Sequence, residues 1–326
     1  MIHNRFSTML KNLVFLSLII GCGSSDETSQ LKFDNQQYGP QVVTNTWENG
    51  AAPISKLQSA KFFSAIAGAV YCGDGAHCGL DQRLSHYFGQ LKLNNPLWGW
   101  KKDFVNARDF SKDIEAYVFS SETSQDVIIG FRGSEVGIGN GALKDWLKTD
   151  FNIGNGWFPG ETIKGNVSMG FLEGMYGIWH PNESGLKRKL EEDSMKGKRI
   201  WLTGHSHGGA MATLLGALLH ERGYDVAGIY IFGTPRIASW EFKESFNRVL
   251  GSRTIHIINQ QDPFPHNPVN FQGVGFTYQL NGGSEMTSIG MGGVAPWGPG
   301  SNLFGRIDLH MIESYVPVLS RVSKDF

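Results

Sequence analysis

Along this chain, short unbroken apolar runs alternate with longer stretches in which apolar residues recur every three or four positions. Ile200 to Thr203, Val226 to Phe232 and Thr254 to Asn259 are runs of the first kind, and they predict buried strands. Ala210 to His220, rich in Ala, Leu and Met, and the amphipathic Trp240 to Leu250 predict helices. Ile54 to Tyr71 places Leu57, Phe62, Phe63, Ile66 and Val70 at helical spacing, which predicts a helix packed on a sheet. Ile114 to Ser120 and Asp126 to Arg132 read as consecutive strands joined by a polar turn. Val167 to Phe171 opens another helix through Tyr176, and Gly185 to Met195 reads as a charged surface helix. Asp308 to Val322 forms a last helix with Leu309, Ile312, Val316 and Leu319 on one face, which Pro317 should kink or end early. Leu80 to Phe104 reads as a long aromatic connection, Phe276 to Leu280 as a final edge strand, and Asn281 to Asn302 as Gly-rich and structureless. The alternation of strand and helix predicts an α/β fold with a largely parallel central sheet and helices on both faces.

The first residues have a different pattern. Arg5 and Lys11 precede the apolar run Leu13 to Ile20, which is too short to span a bilayer comfortably. Gly21 and Cys22 follow directly, a small residue and then Cys, which resembles a bacterial lipoprotein signal. Cleavage would fall before Cys22, which would then carry the lipid. Removing residues 1–21 takes away two basic side chains and no acidic one. That leaves 27 Lys and Arg against 30 Asp and Glu, a net charge of −3. Such a balance offers no basic field for nucleic acid. Cys72 and Cys78 then remain as an even pair, expected to form a disulfide closing a small Gly-rich loop. The short spacing fits a tetrahedral metal clip poorly.

The chemistry centres on Gly204-His205-Ser206-His207-Gly208, set between a predicted strand and a predicted helix. That order is the context of a nucleophile elbow, in which the positions two before and two after the Ser must lack bulk. A Ser hydroxyl needs a base in hydrogen-bond reach and a carboxylate to orient that base. Of the later histidines, His207 adjoins the nucleophile, His220 ends the elbow helix, His256 lies inside a strand, and His266 follows the acid too closely. His310 is left as the base. Asp262, just past a strand end, is the expected acid, with Asp308 as its rival and a better helix cap. The oxyanion formed on attack needs two donors. The backbone N–H of His207 supplies one, and Ser134, closing Phe131-Arg132-Gly133-Ser134, supplies the other.

Together these residues resemble the class 3, or fungal-type, lipases. The matching points are Tyr71-Cys72, Phe131 to Ser134, Asp145-Trp146 with Asp150, Gly170-Phe171, Gly204 to Ala210, Gly233-Thr234-Pro235-Arg236 and Asp262 to Pro265. The chain departs from the family at His207, usually Leu, at Ser168, commonly His, and at Ala238-Ser239, usually Gly-Asn. The resemblance implies an α/β-hydrolase fold, a Ser206–Asp262–His310 triad, an oxyanion hole of Ser134 and His207, and a lid after Ser134. Leu143, Trp146 and Leu147 fall at i, i+3 and i+4 there and form one apolar face.

The expected organisation is a lipoprotein signal over 1–21, a tether and cover over 22–50, and a single α/β-hydrolase domain over 51–326. The expected activity is that of a serine ester hydrolase acting on lipid or other esters through an acyl-Ser206 intermediate, with no metal or organic cofactor. A phospholipase A1 or acyltransferase would use the same triad, and a non-catalytic surface binding protein could retain the same fold. The protein is expected to be exported and held by its N-terminal lipid at the outer membrane or cell surface, or secreted.

Overall fold

In the computed structural model, residues 55–72, 79–107, 114–134, 154–180, 185–260, 262–293 and 307–326 are described. The three central apolar runs are strands: β6 (Arg199–His205), β7 (Val226–Phe232) and β8 (Thr254–Asn259). They lie in an eight-stranded sheet of order β1-β2-β3-β6-β7-β8-β9-β10. The other strands are β1 (Lys101–Asn106), β2 (Glu115–Ser120), β3 (Asp126–Phe131), β9 (Phe276–Leu280) and β10 (Met286–Met291). Pairing from β3 through β9 is parallel, while β1, β2 and β10 run antiparallel to their neighbours. The expected largely parallel α/β sheet is therefore present.

Both sheet faces are covered, so successive residues of a central strand feed different cores. On one face Trp201, Tyr230 and Ile255 meet α1 (Lys56–Ala69), α2 (Leu80–Gln90) and α8 (Ile312–Arg321). Phe63 of α1 stacks on Tyr230 at 4.6 Å and Trp201 at 5.6 Å between ring centroids. On the other face Leu202, Ile229 and Ile231 meet α3 (Met169–Trp179), α5 (His207–Glu221) and α6 (Trp240–Val249). A short helix α4 (Leu186–Leu190) and a one-turn α7 (Ile307–His310) complete the helices among the described residues. A small hairpin, β4 (Asn155–Trp157) with β5 (Asn166–Ser168), leads into α3.

The structure corrects four expectations. The stretch from Leu80 to Phe104 is not a connection, because it holds α2 and most of β1. Leu80, Leu84, Tyr87 and Phe88 are the buried positions of α2, a helical spacing among polar neighbours. Phe276 to Leu280 is not an edge, since β10 pairs outside it within the stretch expected to be structureless. No residue of β10 is buried, so it carries no apolar signal. The charged helix expected to reach Met195 stops at Leu190 and is followed by a separate 3-10 turn. The last helix breaks at Met311, whose ψ of 140° is extended, and then runs on through Pro317 to Arg321. No helix among the described residues is long and apolar enough to cross a membrane. Residues 1–54 lie outside the described residues, and with them the expected signal, the tether and Cys22.

Candidate active site

β6 ends at His205 and α5 begins at His207, so Ser206 alone makes the turn. Its φ of 57° and ψ of −126° put a non-glycine residue in a sparsely populated region, a strain of roughly 1–3 kcal/mol that the surrounding fold must hold. The turn is tight enough to explain its glycines. A Cβ on Gly204 would lie 2.3 Å from the carbonyl carbon of Gly208, and one on Gly208 would lie 2.4 Å from the Phe131 carbonyl oxygen. Neither position accommodates a side chain without moving the backbone.

The structure brings Ser206, His310 and Asp262 together. Ser206 Oγ is 2.7 Å from His310 Nε2, and His310 Nδ1 is 2.9 Å from Asp262 Oδ2. All three residues are buried. The Phe264 N–H donates to Asp262 Oδ1 at 2.9 Å, and the Tyr315 hydroxyl donates to Asp262 Oδ2. Burial and the Asp262 charge push the Tyr315 hydroxyl well above its ordinary pKa, so it stays a protonated donor. The Phe264 ring lies on the His310 imidazole at 3.6 Å and 11°. The rival Asp308 sits exposed in the first turn of α7, within the helix rather than at its cap. The carboxylate that meets His310 is that of Asp262.

Ser134 follows β3 and is half-buried. Phe131, three residues earlier, pairs in register with Gly204, and the Phe131 and Arg132 backbone abuts Gly208. The chain carrying Ser134 therefore runs against the first turn of α5, where His207 lies. An ion pair between Arg132 and the buried Glu115, together with the Arg132 N–H donating to the Glu115 carbonyl at 3.0 Å, anchors this segment. The His207 ring points into the core, 5.3 Å from Phe171.

The other histidines have separate places. His256 is inside β8, where its Nε2 accepts the Thr234 N–H at 3.1 Å. Burial, helped by the nearby His266, pushes its pKa down to about 3. His266 is also lowered, by burial and then by Arg236. Sequence reasoning passed over His205, although its position before the nucleophile was visible. It also passed over Tyr315, which reads as an ordinary core residue of an amphipathic helix. Cys72 is disulfide-bonded, while Cys78 lies outside the described residues, as do Leu143, Trp146 and Leu147. Among the described residues no group of three or more His, Cys, Asp or Glu is arranged to hold a metal ion. The chemistry this arrangement offers is nucleophilic attack by a hydroxyl with proton transfer through an imidazole.

Comparison with known proteins bears on the same residues. The family model "Lipase (class 3)" matches residues 128–272, a span that holds Ser134, Ser206 and Asp262. A secreted mono- and diacylglycerol lipase from Fusarium solani is 28% identical over 239 residues, covering 70% of this chain and 64% of that protein. This chain thus spans a little under two thirds of that relative's length. Among solved structures, the Rhizomucor miehei lipase propeptide complex superposes with a TM-score of 0.58 at 18% identity, covering 82% of this chain and 83% of that one. Lip2 lipase from Yarrowia lipolytica gives 0.59 at 17% identity, with coverage of 82% and 93%. At such identities a structural likeness establishes the fold, here that of an α/β-hydrolase. The class 3 lipase model matches a little under half of the chain, and over that span the chain is similar to the class 3 lipases.

Proposed function

We propose that the protein is a carboxylic ester hydrolase that acts on lipid esters. The observation that carries this reading is the continuous chain Asp262–His310–Ser206, buried and ending at a hydroxyl on a strained elbow. Ser206 Oγ attacks the ester carbonyl while its proton passes to His310 Nε2. The tetrahedral oxyanion draws on the His207 N–H and on Ser134. When the intermediate collapses, the ester C–O bond breaks and His310 returns the proton to the leaving alcohol. Water, deprotonated by the same imidazole, then hydrolyses the acyl-Ser206 ester and frees the acid. Asp262 keeps the proton on His310 Nδ1, and Tyr315 and Phe264 hold Asp262 in turn.

Resemblance to a secreted mono- and diacylglycerol lipase supports glycerides as the substrate class and export as the destination. We assign cleavage before Cys22 and lipidation of Cys22 on the sequence alone, giving a chain anchored at the cell envelope with its hydrolase domain over 51–326. On the same footing, Leu143, Trp146 and Leu147 form the apolar face of a cover over the acyl groove. Cys78 is the assigned partner of Cys72.

A fluorophosphonate should label the native protein at Ser206 and leave Ser206→Ala unlabelled. That variant should lose on the order of 10⁴ or more in kcat on a soluble ester while remaining folded. Near-native hydrolysis by Ser206→Ala would overturn the assignment. A panel of glycerides, phosphatidylcholine and short esters then ranks the substrates, and preference for phosphatidylcholine would make the enzyme a phospholipase.

A further inference from the structure

His205 has no part in the mechanism above, yet both of its ring nitrogens are engaged at the site. Nε2 lies 2.5 Å from the main-chain carbonyl oxygen of His310, and Nδ1 lies 2.7 Å from the Tyr71 hydroxyl. The ring is buried, 4.7 Å from the His310 ring and 5.6 Å from that of Tyr315. A carbonyl oxygen can only accept, so Nε2 carries a hydrogen. Burial, and then the neighbouring His310, holds the His205 imidazole well below its ordinary pKa, so it is neutral. Nδ1 is therefore bare and accepts the Tyr71 O–H. The opposite tautomer would set the Nε2 lone pair against the carbonyl oxygen, two acceptors at hydrogen-bond distance.

The support bears on the main chain of His310, whose imidazole is bonded to Asp262 and stacked on Phe264. His310 ends a helix of one turn, and the helix is interrupted at the next residue, Met311. Tyr71 has a second contact of consequence. A Cβ on Gly133 would fall 1.9 Å from its hydroxyl, so Tyr71 packs directly on the backbone that leads to Ser134.

We propose that Tyr71 and His205 are positioning residues for acyl transfer: the Tyr71 O–H, donated to Nδ1, holds the His205 ring in place, and His205 donates its Nε2–H to the main-chain carbonyl of His310 so that the His310 imidazole spans Ser206 and Asp262. The proposal rests on the hydrolase reading above. It implies that one hydroxyl on α1's C-terminal side, packed against the Gly133 backbone, sets the base through His205.

Three variants test it: Tyr71→Phe, His205→Gln and the double variant, each assayed on a soluble short-chain nitrophenyl ester. Tyr71→Phe should lower kcat on the order of 10-fold with KM unchanged, because both residues act through His310. A Gln amide can turn its N–H₂ toward the His310 carbonyl and has no second ring nitrogen for the Tyr71 hydroxyl to hold. Removing the Tyr71 hydroxyl in the His205→Gln background should therefore cost nothing more than His205→Gln alone. Additive losses, or an unchanged kcat in Tyr71→Phe, would overturn the proposal. Nitrogen-15 imidazole spectra of the native protein should show His205 as a single Nε2–H tautomer whose bare Nδ1 accepts a hydrogen bond, and Tyr71→Phe should keep the tautomer but move the Nδ1 resonance to that of a nitrogen that accepts none; an unmoved Nδ1 resonance would overturn the proposal. This readout needs no turnover, so it separates failure of the positioning role from failure of the hydrolase reading. It also decides the matter if His205→Gln does not fold.

Discussion

The elbow and the arm that meets it are built in different ways. The elbow is a single stretch, 199–209, in which a strand, a strained Ser and a helix follow without a break. Its geometry comes from backbone contacts so close that the side chain of an alanine would not fit. The arm joins Asp262 to His310, 48 residues apart, and places the base on a four-residue helix. Its geometry comes from side-chain hydrogen bonds and ring stacking, supplied by Phe264, Tyr315 and His205 from three elements. The difference teaches that the two halves of one site should fail differently, the elbow when atoms are added and the arm when hydrogen bonds are removed.

The largest effect should come from the arm. Asp262→Asn should lower kcat on the order of 10⁴ by presenting the wrong donor to His310 Nδ1, with the protein still folded. Asp308→Asn, in contrast, removes one exposed charge from a helix start. It should change stability by less than about 1 kcal/mol and leave kcat within about twofold. Comparable losses in kcat would mean that the two carboxylates share the base.

On the elbow side, Gly204→Ala should act through folding. A Cβ at 2.3 Å from the Gly208 backbone cannot be relieved by rotating a side chain, so the loss should exceed about 3 kcal/mol in urea unfolding. A stable variant that lost only activity would show that the turn is softer than its contacts imply.

A smaller loss than that at Gly204 is set by pH. His256, under the arm, has its pKa pushed down from 6.5 to about 3 by burial. Between those values the unfolded chain binds a proton that the folded one refuses, so stability rises with pH. The full contribution is present above about 6.5 and is lost as pH falls towards about 3. Near pH 5 the loss is on the order of 2 kcal/mol, at 1.36 kcal/mol per pKa unit. Chemical denaturation at a series of pH values should show this slope for the native protein and a shallower one for His256→Gln. His205 in the elbow is lowered in the same direction and adds to the native slope.

Much of the fold was legible because its centre is buried on both faces. β7 and β8 match their predicted bounds residue for residue, and β6 and α5 extend slightly beyond theirs. Elements at the rim were not legible, for the opposite reason. β1 and β10 each bury little, so their residues are free to be polar, as Lys101, Lys102 and Asp103 are. The break at Met311 left no mark either, because Leu309 and Ile312 keep a helical spacing across it. In the site, the elbow was readable from glycine spacing, while Tyr315 was hidden among the apolar positions of α8.

By itself the sequence determined which hydroxyl stands at the strand-to-helix turn, because the sterics that demand small residues around Ser206 act between near neighbours in the chain. It also determined a short set of partners, through their order and their positions after strands. Only the tertiary structure decided that Asp262 rather than Asp308 reaches His310, and that Tyr315, Tyr71 and His205 brace the pair. Those contacts join residues 48 to 134 positions apart. A hydrogen bond over that separation depends on where the sheet and its two cores place each backbone, which no local pattern records.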